Sequence, residues 1–206
     1  MSFIDPNADV YVKVFSEISS GLEFQIHSPF GTADIKIALH GRFNAFNVTA
    51  AVVAVTGLGF PFTEVANAAS HLLPVDGRMQ EVKGGSDIRV VVDYAHTPDA
   101  LASALSALKQ SCTGALWVVF GCGGDRDAGK RPEMGRIADS LADQLVVTND
   151  NPRSESPEMI AEDILVGITG SPCHVELDRG AAIRHAVLNA RSGDTVLVAG
   201  KGHENY

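Results

Sequence analysis

The chain is short of cysteine, of basic charge and of long apolar runs, and each shortage removes a class of protein. Three cysteines among 206 residues, Cys112, Cys122 and Cys173, are too few and too unevenly spaced for a disulfide framework or a four-ligand zinc site. The expectation is a reducing, cytoplasmic setting. Cys122 stands in a glycine-rich loop, where a reactive thiol and a small tolerated residue are both open readings. Sixteen Lys and Arg against 25 Asp and Glu leave a net charge of −9, which argues against a nucleic-acid backbone or an anionic membrane as partner. An anionic ligand must therefore meet a locally basic site. No basic segment followed by an apolar one opens the chain, and no apolar run approaches ~18 residues, so neither export nor a membrane span is expected. What remains is an ordinary globular composition, 45% hydrophobic and 20% charged, with a mean hydropathy of +0.09. That suffices for one large domain or two small ones.

The first part of the chain reads as three strands, Val10 to Ile18, Leu22 to His27 and Thr32 to Leu39, joined by Ser-Gly and Pro-Phe-Gly turns. Such short turns imply an antiparallel meander. A helical pattern follows, with Phe43, Phe46, Ala50 and Val53 on one face until Gly57 and Gly59 stop it. A second helix is expected from Thr63 to Leu73, ended by Pro74. Beyond Gly77, Met79 to Val82 and Ile88 to Tyr94 suggest a hairpin around Lys83 to Ser86. Strands and helices then alternate. The strands are Ile88 to Tyr94, Ala115 to Phe120, Gln144 to Thr148, His174 to Leu177 and Thr195 to Ala199. The helices are Pro98 to Gln110, Arg131 to Leu141, Pro157 to Val166 and Arg179 to Asn189. Apolar runs such as Trp117-Val118-Val119-Phe120 suit strands covered on both faces. This region is an α/β, Rossmann-like doubly wound domain, with ligands expected at the carboxyl ends of its strands.

That rule selects four segments: Asp93 to Pro98, Gly121 to Asp127, Thr148 to Arg153, and Gly200 to Glu204. Plain turns need Gly, Asn and Pro but not Arg126, Arg153, His203 and Glu204 as well, so a shared site is favoured. Gly124 to Lys130 matches the glycine and lysine spacing of a Walker A loop, yet Arg131 stands where Ser or Thr must hold magnesium, and Asp125 and Asp127 would repel phosphates. In its place we read a loop in which the two aspartates orient Arg126 to grip a carboxylate, a solvated charged turn being the alternative. His96 and His203 lack partners at metal-ligand spacing, and His96 reads as a positioning or stacking residue. His27, His40, His71, His174 and His185 read as structural or surface residues, and Asp178 as the cap of the helix that starts at Arg179. Asn44 and Asn47 share a helical face and offer the donor and acceptor needed to read an adenine edge. A helix cap accounts for Asn44 equally well, but not for Asn47.

Six segments, His40 to Asn47, Pro74 to Met79, Asp93 to Pro98, Gly121 to Pro132, Asp150 to Arg153 and Gly200 to Glu204, together resemble the MurE-type Mur ligases, in the right order over nearly the whole chain. The resemblance implies an ATP-dependent amide ligase that joins an amino acid to UDP-N-acetylmuramoyl-L-alanyl-D-glutamate through an acyl phosphate, giving ADP and phosphate. It assigns residues 1–77 to the end of the central ATP-binding domain, with its antiparallel strands and helices, and 78–206 to the C-terminal domain. By the same resemblance Asn44 and Asn47 lie near the adenine, Arg78 touches a phosphate, and Asp93 and His96 contact ribose and nucleotide. Arg126, Asp150, Asn151, Pro152, Arg153, Gly200 and Glu204 are placed around the amino acid.

Asp150 to Arg153 looks like the signature of enzymes that add meso-diaminopimelate and not lysine. The second carboxylate of diaminopimelate can pair with Arg153 and Arg126, whereas the bare ammonium of lysine would be repelled. Gly200 and Glu204 match positions that hold the distal amino group. Asn149 and Asn205 stand where relatives often have aspartate. ATP and Mg2+ are the implied cofactors, and meso-diaminopimelate and the UDP-MurNAc-dipeptide the implied partners of a monomer. The family's phosphate loop, magnesium ligands and carbamylated lysine have no counterpart here, so the fragment alone is expected to carry no catalytic residue or metal ligand and to be inactive. The alternatives are a lysine-adding Mur ligase, a folylpolyglutamate-type ligase, or a free-standing amino-acid-binding module.

Overall fold

The structure, a computed structural model, describes residues 1–18, 21–82 and 87–202. Its contacts divide the chain into two units, Met1–Pro74 and Val75–Tyr206.

In the first unit β1 (Tyr11–Ile18), β2 (Gly21–Ser28) and β3 (Gly31–Ile37) form an antiparallel sheet in the order β1-β2-β3. The period-2 rule of strands sorts the faces. Leu22, Phe24 and Ile26 of β2, with Ile35 and Ile37 of β3, point into the core. On the opposite face Lys36 pairs with Glu23 at 2.7 Å and Gln25 donates to Asp34 at 2.7 Å. Helices α1 (Arg42–Gly57) and α2 (Phe62–Ala69) cover the apolar face through Ala45, Val48, Val52, Phe62, Ala66 and Ala69.

Two helical details differ from the expectation. The buried stripe of α1 is Ala45, Val48, Thr49, Val52 and Thr56, not Phe43, Phe46, Ala50 and Val53. The helix is apolar on more than one side, so periodicity alone cannot select the face that the sheet takes. Val48, Ala51, Val52 and Val55 of α1, with Phe60 and Leu72 beyond it, border an apolar groove of about 440 Å3 between the two helices. Helix α2 ends at Ala69 and not at Leu73, because Ser70, His71 and Leu72 turn to tighter i→i−3 bonds onto Asn67, Ala68 and Ala69.

In the second unit β4 (Gln80–Val82) runs antiparallel to β5 (Arg89–Asp93). The turn expected at Lys83 to Ser86 lies outside the described residues. Met79 does not belong to the strand: its φ is 46°. The remaining strands, β6 (Leu116–Phe120), β7 (Gln144–Val147), β8 (Cys173–Val175) and β9 (Thr195–Ala199), pair in parallel, giving the order β4-β5-β9-β6-β7-β8. The chain moves outward from β6 to β8 and then returns to lay β9 between β5 and β6. Every residue of β6 and β9 is buried, as strands covered on both faces require. Trp117, Val119, Val146, Val196 and Val198 meet Ala182 and Ala186 of α6 (Arg179–Asn189). Helices α3 (Pro98–Ser111), α4 (Lys130–Leu141) and α5 (Pro157–Leu165) pack in sequence against one another.

Helix starts are chemically marked. Thr97, Ser156 and Asp178 cap α3, α5 and α6, accepting from Ala100, Met159 and Ala181, and proline opens the first two. The cap expected of Asp178 is thus present. No helix among the described residues is long and apolar enough to cross a membrane.

The α4–α5 contact depends on bare backbone. A side chain at Gly135 would strike the carbonyl oxygen of Ile164, and one at Gly167 that of Pro132. Gly135→Ala therefore sets a helix-propensity gain of about 1 kcal/mol against an overpacking cost of about 2–3 kcal/mol, the upper part of the usual range because the obstacle is backbone. We expect a net loss of about 1–2 kcal/mol in urea unfolding, with Gly135→Val worse. An unchanged or raised midpoint for Gly135→Ala would show that the helices can separate freely.

Candidate functional site

The carboxyl ends of β5, β6, β7 and β9 open on one side of the parallel sheet, and the loops that follow them enclose a cleft of about 150 Å3. Its walls are Tyr94, His96, Gly123, Arg126, Lys130, Asp150, Asn151, Arg153 and Gly200. Six of these were expected from the sequence: His96, Arg126, Asp150, Asn151, Arg153 and Gly200. Three cationic side chains face one carboxylate in a chain whose net charge is −9. This is the locally basic site that an anionic group needs.

The loop after β5 is fixed by Asp93. Its Oδ1 accepts the N–H of Ala95 and its Oδ2 that of Met79, both at 2.8 Å. Burial pushes its carboxyl above the ordinary range, against the pull of those two N–H groups and of Arg78. Asp93 thus sits beneath the cleft and not in its wall, holding Met79 in its left-handed conformation. Arg78 is exposed and lies 4.5 Å above the Tyr94 ring, whose other neighbour, His96, meets it edge-on at 4.7 Å. His96 thus meets the ring by an edge and does not stack on it, and its Nδ1 lies 2.9 Å from the Tyr94 carbonyl oxygen. Lys130, which the sequence reading passed over once Walker A was rejected, donates to the His96 carbonyl at 2.8 Å and so joins the loops after β5 and β6.

The loops after β6 and β7 are bound to each other. Gly124 N–H donates to the Asn151 carbonyl at 3.1 Å, and Arg153 Nη1 donates to the Gly124 carbonyl at 2.7 Å. A side chain at Gly124 would collide with the carbonyl oxygen of Pro152, which is how Pro152 takes part without lining the cleft. Asp125 accepts from the backbone and hydroxyl of Ser154, at 3.2 and 2.6 Å. Asp127 accepts from Gly129 N–H at 2.9 Å. The aspartates therefore do not orient Arg126 as expected: one ties the loops together and the other shapes its own turn. Local backbone donors lie closer to these short side chains than a long guanidinium does. Arg126 is exposed, with no hydrogen bond among the described residues. Arg153 keeps its Nε–Nη2 edge free of protein bonds among the described residues, and that edge can grip a carboxylate two-pronged.

Asp125, Asn151 and Arg153 have φ of 53°, 51° and 53°. Left-handed non-glycine residues cost ~1–3 kcal/mol each and persist only where their surroundings over-determine them. Three of them on two facing loops mark this place as built for more than packing.

Asp150 is only 6% exposed, and Gly200, with φ of 116°, leaves room for it: a side chain there would strike Asp150 Oδ2. Arg179 draws the ends of β9 and β7 together by donating to the Ala199 carbonyl at 2.8 Å and the Asn149 carbonyl at 3.4 Å. Its place after a capping Asp gave no hint of this. Thr148 Oγ1 and Asn149 Oδ1 are buried without a hydrogen-bond partner among the described residues. Glu204 and His203 lie outside the described residues. Among the described residues no three His, Cys, Asp or Glu side chains converge as a metal site.

Asn44 and Asn47 belong to the first unit. Gly41 is the N-cap of α1, while Asn44 reaches back to the His40 carbonyl at 2.7 Å and Asn47 donates to Asn44 at 3.4 Å. Neither is a cap, and their amides form a short surface chain. Cys122 is buried, and burial pushes its thiol up to about 11, so the reactive-thiol reading fails.

Fold and cleft define a doubly wound α/β domain with a polar, cation-rich site at its strand ends. The chain belongs to the Mur ligase family: residues 77–202 match the family model described as Mur ligase, glutamate ligase domain. It is 48% identical over 200 residues to the UDP-N-acetylmuramoyl-L-alanyl-D-glutamate--2,6-diaminopimelate ligase of Chromobacterium violaceum, covering 96% of this chain and 41% of that protein. It is 50% identical over 188 residues to the protein of the same name from Vibrio vulnificus, covering 91% and 38%. The chain thus spans about two fifths of the length of the curated relatives it matches. A solved structure with that ligase name is 40% identical at a TM-score of 0.65, covering 99% of this chain and 42% of that one. MurF from Acinetobacter baumannii shares the fold at a TM-score of 0.75 with 20% identity, covering 95% and 42%.

Two measurements test the site's electrostatics. Native Cys122 should resist alkylation at pH 8, at which a thiol of pKa about 11 is almost wholly protonated, and should react once the chain is unfolded. Fast native labelling of Cys122 would contradict its burial. Asp125 is held below the ordinary range by Ser154, and Glu155 by Arg131. Lowered carboxyls contribute stability that is complete above their unfolded values and lost as pH falls through the folded ones. The Ser154 amide resonance should therefore titrate with a midpoint below the ~3.9 of a free aspartate. A midpoint at or above that value means the two loops are not tied through Asp125.

Proposed function

We propose that the chain is the C-terminal part of an ATP-dependent amide ligase that adds meso-diaminopimelate to UDP-N-acetylmuramoyl-L-alanyl-D-glutamate in peptidoglycan synthesis. The observation that carries this reading is the pair of arginines, Arg126 and Arg153, brought from separate loops to one cleft with Asp150 and Gly200. A diamino dicarboxylate presents anionic and cationic ends, and this cleft offers both complements. The names of the relatives support the same substrate. A free Nε–Nη2 edge on Arg153 suits the distal carboxylate; lysine would bring an ammonium to that edge and be rejected.

In this reading the amine lone pair of the bound amino acid attacks the carbonyl carbon of an acyl phosphate. The C–N bond forms, phosphate leaves with the C–O electron pair, and the nitrogen gives up a proton. The residues of this chain orient the nucleophile: the arginines anchor its far end, and Asp150, Gly200 and the Glu204 expected beside them hold the distal ammonium. ATP supplies the activating phosphoryl group. Arg78 above Tyr94 is an exposed cation suited to a phosphate, with His96 beside it and Asp93 fixing the loop. Asn44 and Asn47 are assigned to the adenine. Magnesium belongs with the family's phosphate-loop machinery.

Residues 1–77 are assigned to the end of the central ATP-binding domain and 78–206 to the C-terminal domain. The enzyme is taken to be a cytoplasmic monomer.

The complete enzyme should use meso-diaminopimelate in strong preference to L-lysine. Arg153→Ala should raise KM for meso-diaminopimelate by the loss of a charge-assisted pair, ~1.5–3 kcal/mol, with KM for ATP little changed. Equal use of lysine by the intact protein would sink the assignment.

A further inference from the structure

Arg131 does not line the cleft: it is 2% exposed and lies behind the loops that form it. Its surroundings are unusual for a buried cation. Nη2 donates to both carboxylate oxygens of Glu155 at 2.8 Å, and Nη1 donates to Asp163 Oδ2 at 2.9 Å. One guanidinium from the first turn of α4 thus holds the loop after β7 and helix α5 together. Glu155 then passes the restraint on, since its Oε1 also accepts the N–H of Asp125. Asp125 in turn grips Ser154, the neighbour of Arg153. The path from Arg131 runs to both loops, reaching Asp125, next to Arg126, on one side and Ser154, next to Arg153, on the other.

We propose that Arg131 is the positioning residue for amino-acid selection: through Glu155 it sets the separation and the strained backbone of the loops that carry Arg126 and Arg153. This rests on the reading of the cleft as an amino-acid site. A dicarboxylate is distinguished from lysine only if the free guanidinium edges stand where its far carboxylate falls, and those arginines come from different loops. Lysine at 131 could not replace the fork, because an ammonium is a point charge on a flexible stem and cannot hold two carboxylates in a fixed planar arrangement. Neutralisation matters as well. Glu155 and Asp163 are committed to Arg131, which keeps Glu155, one loop residue from Ser154, from quenching Arg153 in its place.

The test uses the complete enzyme and the variants Arg131→Lys, Glu155→Gln and Arg153→Ala, with the Arg131→Lys/Arg153→Ala double variant. Arg131→Lys should raise KM for meso-diaminopimelate by about tenfold or more while KM for ATP stays within about twofold, since small displacements of positioning groups are costly. In the double variant the loss should fall well short of the product of the single losses, because both act on one contact. Amide exchange at Asp125 and Ser154 should quicken in Arg131→Lys, with Val118 in the sheet core unchanged. Full additivity, an equal rise in KM for ATP, or unaltered exchange overturns the proposal. If Arg131→Lys fails to fold, Glu155→Gln, which breaks the same path at a partly exposed residue, carries the same expectations. If the parent enzyme ignores meso-diaminopimelate, the functional assignment fails, and the exchange measurement still decides whether Arg131 sets the loops.

Discussion

The return of the chain to lay β9 between β5 and β6 is the constraint on which the second unit depends. β5 and β6 do not pair with each other; each pairs with β9 in parallel register. Parallel pairing puts the carboxyl ends of all of them on one side, so the loops starting at Tyr94, Gly121, Thr148 and Gly200 converge whatever their composition. The register is pinned from the opposite end. Buried Asp194 accepts from Ala115 N–H at 2.8 Å, Trp117 Nε1 at 3.1 Å and Arg191 N–H at 2.9 Å, which locks the start of β9 to the start of β6. Arg179 performs the matching task at the cleft end.

Given that convergence, the character of the cleft is decided by which charges are consumed within the protein. The chain is acidic, yet Arg126, Lys130 and Arg153 gather at one place. They remain available because the nearby carboxylates are used elsewhere: Asp125 on Ser154, Asp127 on Gly129, and Glu155 with Asp163 on Arg131. The same bonds hold three left-handed residues in place. Strain of that kind needs a surrounding network, and here Arg131, Glu155, Asp125 and Ser154 tie α4 to the two loops that carry those residues.

Much of this is legible in the sequence. The alternation of apolar runs with helical patterns, together with Pro98, Pro157 and Asp178 at helix starts, states a doubly wound domain in local chemistry. Glycine, asparagine and arginine crowded after the strands marked the cleft, and His96, Arg126, Asp150, Asn151, Arg153 and Gly200 all line it. The misreadings share a cause. The face of α1 was misjudged because that helix is apolar around much of its circumference. The partners of Asp125 and Asp127 were misjudged because a charged loop offers many local pairings of similar energy. Arg131 served only to reject a phosphate loop, and Lys130 lost its role along with that loop.

Periodicity, caps and turn residues act within a few positions along the chain, and the sequence by itself therefore determined the elements, their order and the side of the sheet on which a ligand belongs. Which arginine is spent inside the protein and which is left for a ligand depends on contacts across some 24 to 32 positions, such as Arg131 with Glu155 and with Asp163. Only the packed tertiary structure sets those distances. The energy of an ion pair depends on separation and burial, neither of which is written in local sequence.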